Sequence, residues 1–250
     1  MTDKKEKEED SLNLSRQSKL VPIDKVNEYT IKVYGIGSVG SHVTKILAKS
    51  GFKHIEVYDM DTVDEENIAA QAFDFKHIGM NKVDAMKDIC KDGAGIDIKA
   101  FNGAITPETE MEVEPNTIYC CFFDSFDARK MLYDKIKDYP TIFVDARIGQ
   151  YNMRHYLIDT GCQQTNEDFG KTLEPGAVSE LICGEKATAP VNAEISGKIV
   201  MNIINYISGR DYTKTFIGNA SATARAINVI VSKPEEVVVK TEGDIHDIHM

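Results

Sequence analysis

No C-x-x-C pair occurs in the 250-residue sequence, so a structural zinc site of four thiolates is excluded and no zinc is expected. The five cysteines, Cys90, Cys120, Cys121, Cys162 and Cys183, are odd in number and irregularly spaced. That pattern excludes a secreted disulfide scaffold and predicts reduced thiols in a cytoplasmic setting. Positive charge is scarce: 29 basic against 40 acidic residues give a formal charge of −11, which argues against nonspecific nucleic-acid binding. No apolar run is long enough to span a bilayer, and the charged segment 1–10 does not read as a signal peptide, so no membrane partner is expected. Internal repeats and an aromatic platform for stacking bases are also missing. None of His42, His54, His77 and His155 has a second ligand at metal-binding spacing. His246 and His249, beside Asp244 and Asp247, lie in an acidic stretch that reads as a solvated end.

What the chain does contain is concentrated between residues 31 and 82. The β-branched and aromatic run 29–34 feeds Gly35-Ile36-Gly37-Ser38-Val39-Gly40, and Val39, Val43, Ile46 and Leu47 follow at helical spacing until Gly51. Strand, glycine turn and helix form the context that a phosphate-binding loop requires. Gly35 permits the tight turn, Gly37 lets backbone approach a phosphate, and Gly40 allows close helix packing, while the helix N-terminus offers unpaired N–H groups to an anion. A second strand, 54–58, ends at Asp59, whose carboxylate suits the hydroxyls of a ribose. Taken alone, the glycine turn and Asp59 fit an NAD(P)-dependent oxidoreductase equally well.

The continuation Asp59-Met60-Asp61-Thr62-Val63, then Asn67-Ile68-Ala69-Ala70-Gln71, then Ile78-Gly79-Met80-Asn81-Lys82 resembles the ThiF/MoeB/HesA family, relatives of the ubiquitin-activating enzymes. The resemblance runs from about residue 15 to residue 209 and lies in the order and spacing of motifs. It implies a Rossmann-like, doubly wound α/β sheet, mostly parallel with antiparallel late strands, in one adenylation domain at 12–240 between tails at 1–11 and 241–250. It also implies ATP and Mg²⁺ as cofactors, and adenylation of the C-terminal carboxylate of a ubiquitin-like, sulfur-carrier or peptide partner. On the same basis Gly35, Gly37, Gly40, Asp59, Asp61, Asn67, Gln71 and Lys82 would bind the nucleotide. Asp124, which opens Asp124-Ser125-Phe126-Asp127-Ala128-Arg129, would hold magnesium. Arg16, in Ser15-Arg16-Gln17, would reach the ATP of a second protomer in a homodimer. The sequence departs from the family at Ala70, where N-L-x-R-Q carries arginine; this departure bears on activity and leaves a nucleotide-binding regulatory subunit as an alternative.

Adenylation brings two anions together, so neutralising the triphosphate dominates its chemistry. Glycine-turn amides, Lys82, a trans arginine and Mg²⁺ would share that task. No general base is required, because a carboxylate is already ionised at neutral pH. Asn67 and Gln71 stand one helical turn apart, and both would face the nucleotide if the turn is helical. Cys183, before a helix expected from about residue 189, coincides with the family's transfer thiol; the residues leave open whether it reacts or is merely packed. Cys120 and Cys121, inside an apolar strand, are expected to point to opposite sheet faces. The polar stretch 160–188 reads as the family's crossover loop, and 193–207 as a core or dimer helix.

Overall fold

The computed structural model describes residues 12–174, 188–220, 227–232 and 236–241. Among these, nine strands form one sheet: β1 Thr30–Tyr34, β2 Ile55–Asp59, β3 Lys99–Asn102, β4 Thr117–Cys121, β5 Ile142–Gly149, β6 Asn152–Asp159, β7 Tyr212–Asn219, β8 Ile227–Ser232 and β9 Glu236–Thr241. The helices are α1 Ile23–Val26, α2 Ser38–Lys49, α3 Glu65–Ile68, α4 Lys82–Ala94, α5 Phe126–Ile136, α6 Gln163–Lys171 and α7 Ala189–Ile207, with a 3₁₀ turn at Phe75–His77.

The spatial order is β3-β2-β1-β4-β5-β6-β7-β8-β9. Pairing is parallel from β3 through β5 and antiparallel from β5 onward. β1, β4 and the first part of β5 are buried on both faces, as strands covered by helices must be. Alternation sends Val33 and Cys120 into the core under α2, α4 and α7, and Tyr34, Cys121 and Phe143 into the core under α5 and α6. Cys120 and Cys121 therefore face opposite sides, as their adjacency in a strand demands. Because α2 covers one face and α5 the other, the chain order reverses between β1 and β4. That reversal opens a crevice beyond the carboxyl ends of these two strands, where open α/β sheets take ligands.

Local chemistry explains the element boundaries. Val39, Val43 and Leu47 recur along one buried face of α2. Gly95, at φ 69°, ends α4 in a left-handed cap that satisfies the last carbonyls. Ser125 caps α5 by accepting the Ala128 N–H at 3.3 Å. Within the stretch read as a loop, residues 163–171 instead form α6. Its composition is polar because only Thr165 and Phe169 are buried, and Phe169 alone meets Tyr133, Phe143 and Tyr156 ring to ring.

Candidate active site

The glycine turn is fixed by contacts that leave no room for side chains. A Cβ on Gly35, which has φ +89°, would lie 2.9 Å from the Phe122 carbonyl, and one on Gly40 would lie 1.9 Å from the Gly35 oxygen. Gly37 differs, since nothing lies within 4 Å of its missing Cβ. It is also the N-cap of α2 and contributes no side-chain cap, so no capping side chain occupies the first amides of the helix, an arrangement suited to an anion.

Asp59, at the end of β2, is clamped to this turn. Its Oδ2 accepts the Ile36 N–H at 2.6 Å, and its Oδ1 accepts the Asp61 N–H at 2.8 Å. A carboxylate has about four acceptor positions, so two sites remain for hydroxyls. The chain then folds back on itself: the Thr62–Asn81 bridge, Val63 N–H to Met80 O at 2.9 Å, and Lys82 N–H to Asp61 O at 2.9 Å zip residues 61–63 against 79–82. This brings the Lys82 ammonium within 2.8 Å of Asp61 Oδ2. The lysine side chain is only 9% exposed while the aspartate is 54% exposed, so the pair opens outward through its carboxylate.

Asn67 and Gln71 do stand one turn apart, with the Gln71 N–H donating to Asn67 O at 2.8 Å. Their side chains are differently occupied. Asn67 Oδ1 accepts the Asp64 N–H at 3.1 Å in the capping box of α3, whereas Gln71 Oε1 is buried without a partner. The carbonyl of Ala70 is held by His42 Nε2 at 3.2 Å and Asn192 Nδ2 at 2.8 Å. Burial lowers the pKa of His42, favouring the neutral ring at this contact. His42 and Asn192, on α2 and α7, are tethers that no motif pointed to.

Asp124 follows β4 and is exposed. The Phe122 N–H donates to Tyr34 O at 2.8 Å, so the path to Asp124 begins beside the glycine turn. Among the described residues no group of three or more His, Cys, Asp or Glu could hold a metal ion. A lone exposed carboxylate fits Mg²⁺, which binds one or two carboxylates together with waters and substrate phosphates.

Behind this loop lies a charge cluster. Asp145, fully buried, pairs with Arg129 and with Arg147 Nε at 2.7 Å. Arg129 also donates to the carbonyls of Phe123, Cys121 at 3.5 Å and Ala146 at 3.2 Å. Arg147 reaches Thr172 O at 3.1 Å and Thr172 Oγ1 at 2.9 Å. Burial pulls the Arg129 guanidinium down to about 10 and shifts Arg147 in the same direction. Asp145 and Arg147 escaped the motif reading; their signal was two charges inside the apolar run of β5.

Arg16 does not join the crevice of its own chain. Gln17 Nε2 reaches Lys49 O at 3.4 Å and Leu14 packs against Gly51, so the arm carrying Arg16 lies at the C-terminal end of α2. That end is about 18 Å from the glycine turn at 1.5 Å per residue over a 12-residue helix. Cys183 lies outside the described residues. Among the described cysteines, Cys162 is the exposed one. Hydrogen bonding by Thr165, its backbone first, holds that thiol below its usual value, whereas burial pushes Cys90 up to about 12 and raises Cys120 and Cys121 as well.

A family model described as the ThiF family matches residues 12–236. The chain is 32% identical over 115 residues to SUMO-activating enzyme subunit 2 of Dictyostelium discoideum, covering 45% of this chain and 16% of that protein. It is 31% identical over 135 residues to the NEDD8-activating enzyme E1 catalytic subunit of Caenorhabditis elegans, covering 53% of this chain and 31% of the relative. The chain thus spans a third or less of the length of these curated relatives. In fold it matches a crystal structure of E. coli MccB with AMPCPP and MccA, with a TM-score of 0.62 and 19% identity over 88% of this chain and 65% of that one.

Proposed function

The chain belongs to the ThiF family, and on that premise we propose that it uses ATP to adenylate the C-terminal carboxylate of a small protein or peptide. The observation that carries this reading is the glycine turn clamped to Asp59, with Lys82 folded back to the same strand ends. A dehydrogenase needs the first feature and has no use for the second. The curated relatives are named as SUMO- and NEDD8-activating subunits, which supports a ubiquitin-like partner; the MccB structure, with its nucleotide and MccA, supports a peptide.

In this reaction a partner carboxylate oxygen attacks the α-phosphorus, the bond to the bridging oxygen of the β-phosphate breaks, and pyrophosphate leaves with the electron pair. No proton moves. The free amides at the start of α2 bind phosphate oxygens, Asp59 receives the ribose, and Lys82 exchanges its exposed partner Asp61 for the triphosphate. Asp124 would hold Mg²⁺, which supplies charge neutralisation for the leaving pyrophosphate. Arg16 cannot reach its own crevice from the far end of α2, which supports a role across a homodimer. We infer a cytoplasmic setting from the odd number and irregular spacing of the cysteines.

Calorimetric titration with ATP plus Mg²⁺, and separately with NAD⁺ and NADP⁺, tests this assignment. Binding of ATP that falls sharply in Asp124→Ala is expected; preference for either dinucleotide overturns it. Ala70 favours a second reading, a nucleotide-binding regulatory subunit, because no guanidinium stands where the family places one. Pyrophosphate exchange in the presence of the matching carboxylate partner separates the two.

A further inference from the structure

The buried cluster behind the crevice has one cation more than its own neutralisation requires. Asp145 carries a single negative charge, yet both Arg129 and Arg147 are packed against it, each with a side chain 4% exposed. Burying a second guanidinium carries a desolvation penalty that one shared carboxylate only partly offsets. The remaining contacts of Arg147 show what its presence organises. Two of its nitrogens donate to Thr172 at the end of α6, and its guanidinium carbon lies 5.1 Å from the ring centroids of Phe126 and Tyr156 and 5.6 Å from that of Phe169.

Phe126 is itself unusual, a large apolar residue 43% exposed at the first position of α5. Cation–π attraction holds its ring over Arg147 at 5.1 Å and Arg129 at 6.0 Å. Asp124 lies between two fixed points: the Phe123 carbonyl bound by Arg129, and the Phe126 ring seated on Arg147. From this geometry we propose that Arg147 is a positioning residue, which holds Phe126 and thereby sets the Asp124 carboxylate for a nucleotide-bound divalent cation. Thr172 aims the guanidinium, and Asp145 neutralises part of its charge. The proposal rests on the reading of Asp124 as the magnesium ligand.

Calorimetry of ATP binding with Mg²⁺ and with EDTA isolates the contribution of the cation. In the parent protein Mg²⁺ should tighten ATP binding, and Asp124→Ala should remove that gain. Arg147→Met should reduce the gain by about tenfold or more, the usual effect of losing a group that orients a metal ligand. Affinity for ATP in EDTA should not change, because the glycine turn, Asp59 and Lys82 are untouched. A merely structural role would move both affinities together. Arg147→Met keeps a balanced Arg129–Asp145 pair, so folding is expected; if it fails, Thr172→Val, which removes one acceptor, should show a smaller loss with the same selectivity. A full magnesium gain in Arg147→Met, or in Thr172→Val should that variant have to decide, overturns the positioning role while leaving Asp124 intact. A parent protein whose magnesium gain is absent, or survives Asp124→Ala, overturns the reading of Asp124 and the role of Arg147 with it.

Discussion

Two charged clusters stand at the carboxyl edge of the same sheet and are built in opposite ways. At the mouth of the crevice, Lys82 is enclosed but its partner Asp61 is more than half exposed, so the ammonium can change partners without leaving a carboxylate stranded in a low dielectric. Behind β4 and β5, Asp145 and both of its arginines are hidden from water, and loss of the one carboxylate leaves two uncompensated charges. The first arrangement suits a group that must meet a changing ligand. The second suits a framework that must not move.

The sharpest way to break this contrast is to delete the carboxylate of each cluster. Asp145→Ala leaves two buried guanidiniums without a counter-charge and should lower stability by about 3–5 kcal/mol. Asp61→Ala leaves a single enclosed ammonium, on a flexible stem that can swing toward water, and should lower it less, by about 1–3 kcal/mol. Urea denaturation of both variants at neutral pH makes the comparison. Equal losses would mean that the mouth pair is as structural as the buried one.

Lys82→Ala probes the mouth from the other side. Loss of a charged hydrogen bond to phosphate should weaken ATP binding by about 1.5–3 kcal/mol, while adenosine, which lacks phosphates, should bind nearly as before. Titration calorimetry with the two ligands reads the difference. Equal weakening would remove Lys82 from the phosphate shell.

The mouth was far more legible in the sequence than the buried cluster. Gly35, Gly37 and Gly40 follow a β-branched run, and the acidic residue ending the next strand falls at the expected distance, so local order alone pointed to Asp59 beside the glycine turn, though not to its clamp on the Ile36 N–H. The pairing of 61–63 with 79–82 was not read, although the resemblance named a motif in each segment. By contrast, Arg129, Asp145, Arg147 and Thr172 come from two helices and a strand, and nothing in local periodicity announces that they converge. The polar α6 was hidden for a related reason: two buried residues suffice to anchor it, too few to make an apolar stripe. The position of Arg16 at the far end of α2 likewise follows from Leu14 packing on Gly51, a contact between an arm and a helix terminus that no motif encodes.

His155 sharpens the contrast from a third direction, because it is buried without any charged partner. Its ring lies on β6, where Asn202 Nδ2 meets Nε2 at 2.8 Å and Nδ1 has no partner. Burial drives its pKa from 6.5 down to about 3, so the folded protein keeps it neutral where the arginines must be paired. Between these two values the unfolded chain binds a proton that the folded chain refuses. Stability from this group is therefore complete above about pH 6.5 and is lost as pH falls through the window, at about 1.4 kcal/mol per pH unit once the unfolded histidine is mostly charged. His155→Phe should abolish that increment while the carboxylates continue to titrate as before. The difference in denaturation free energy between parent and variant, followed from neutral pH to about pH 5, isolates the one proton; a constant difference would mean that the ring accepts its proton inside the fold.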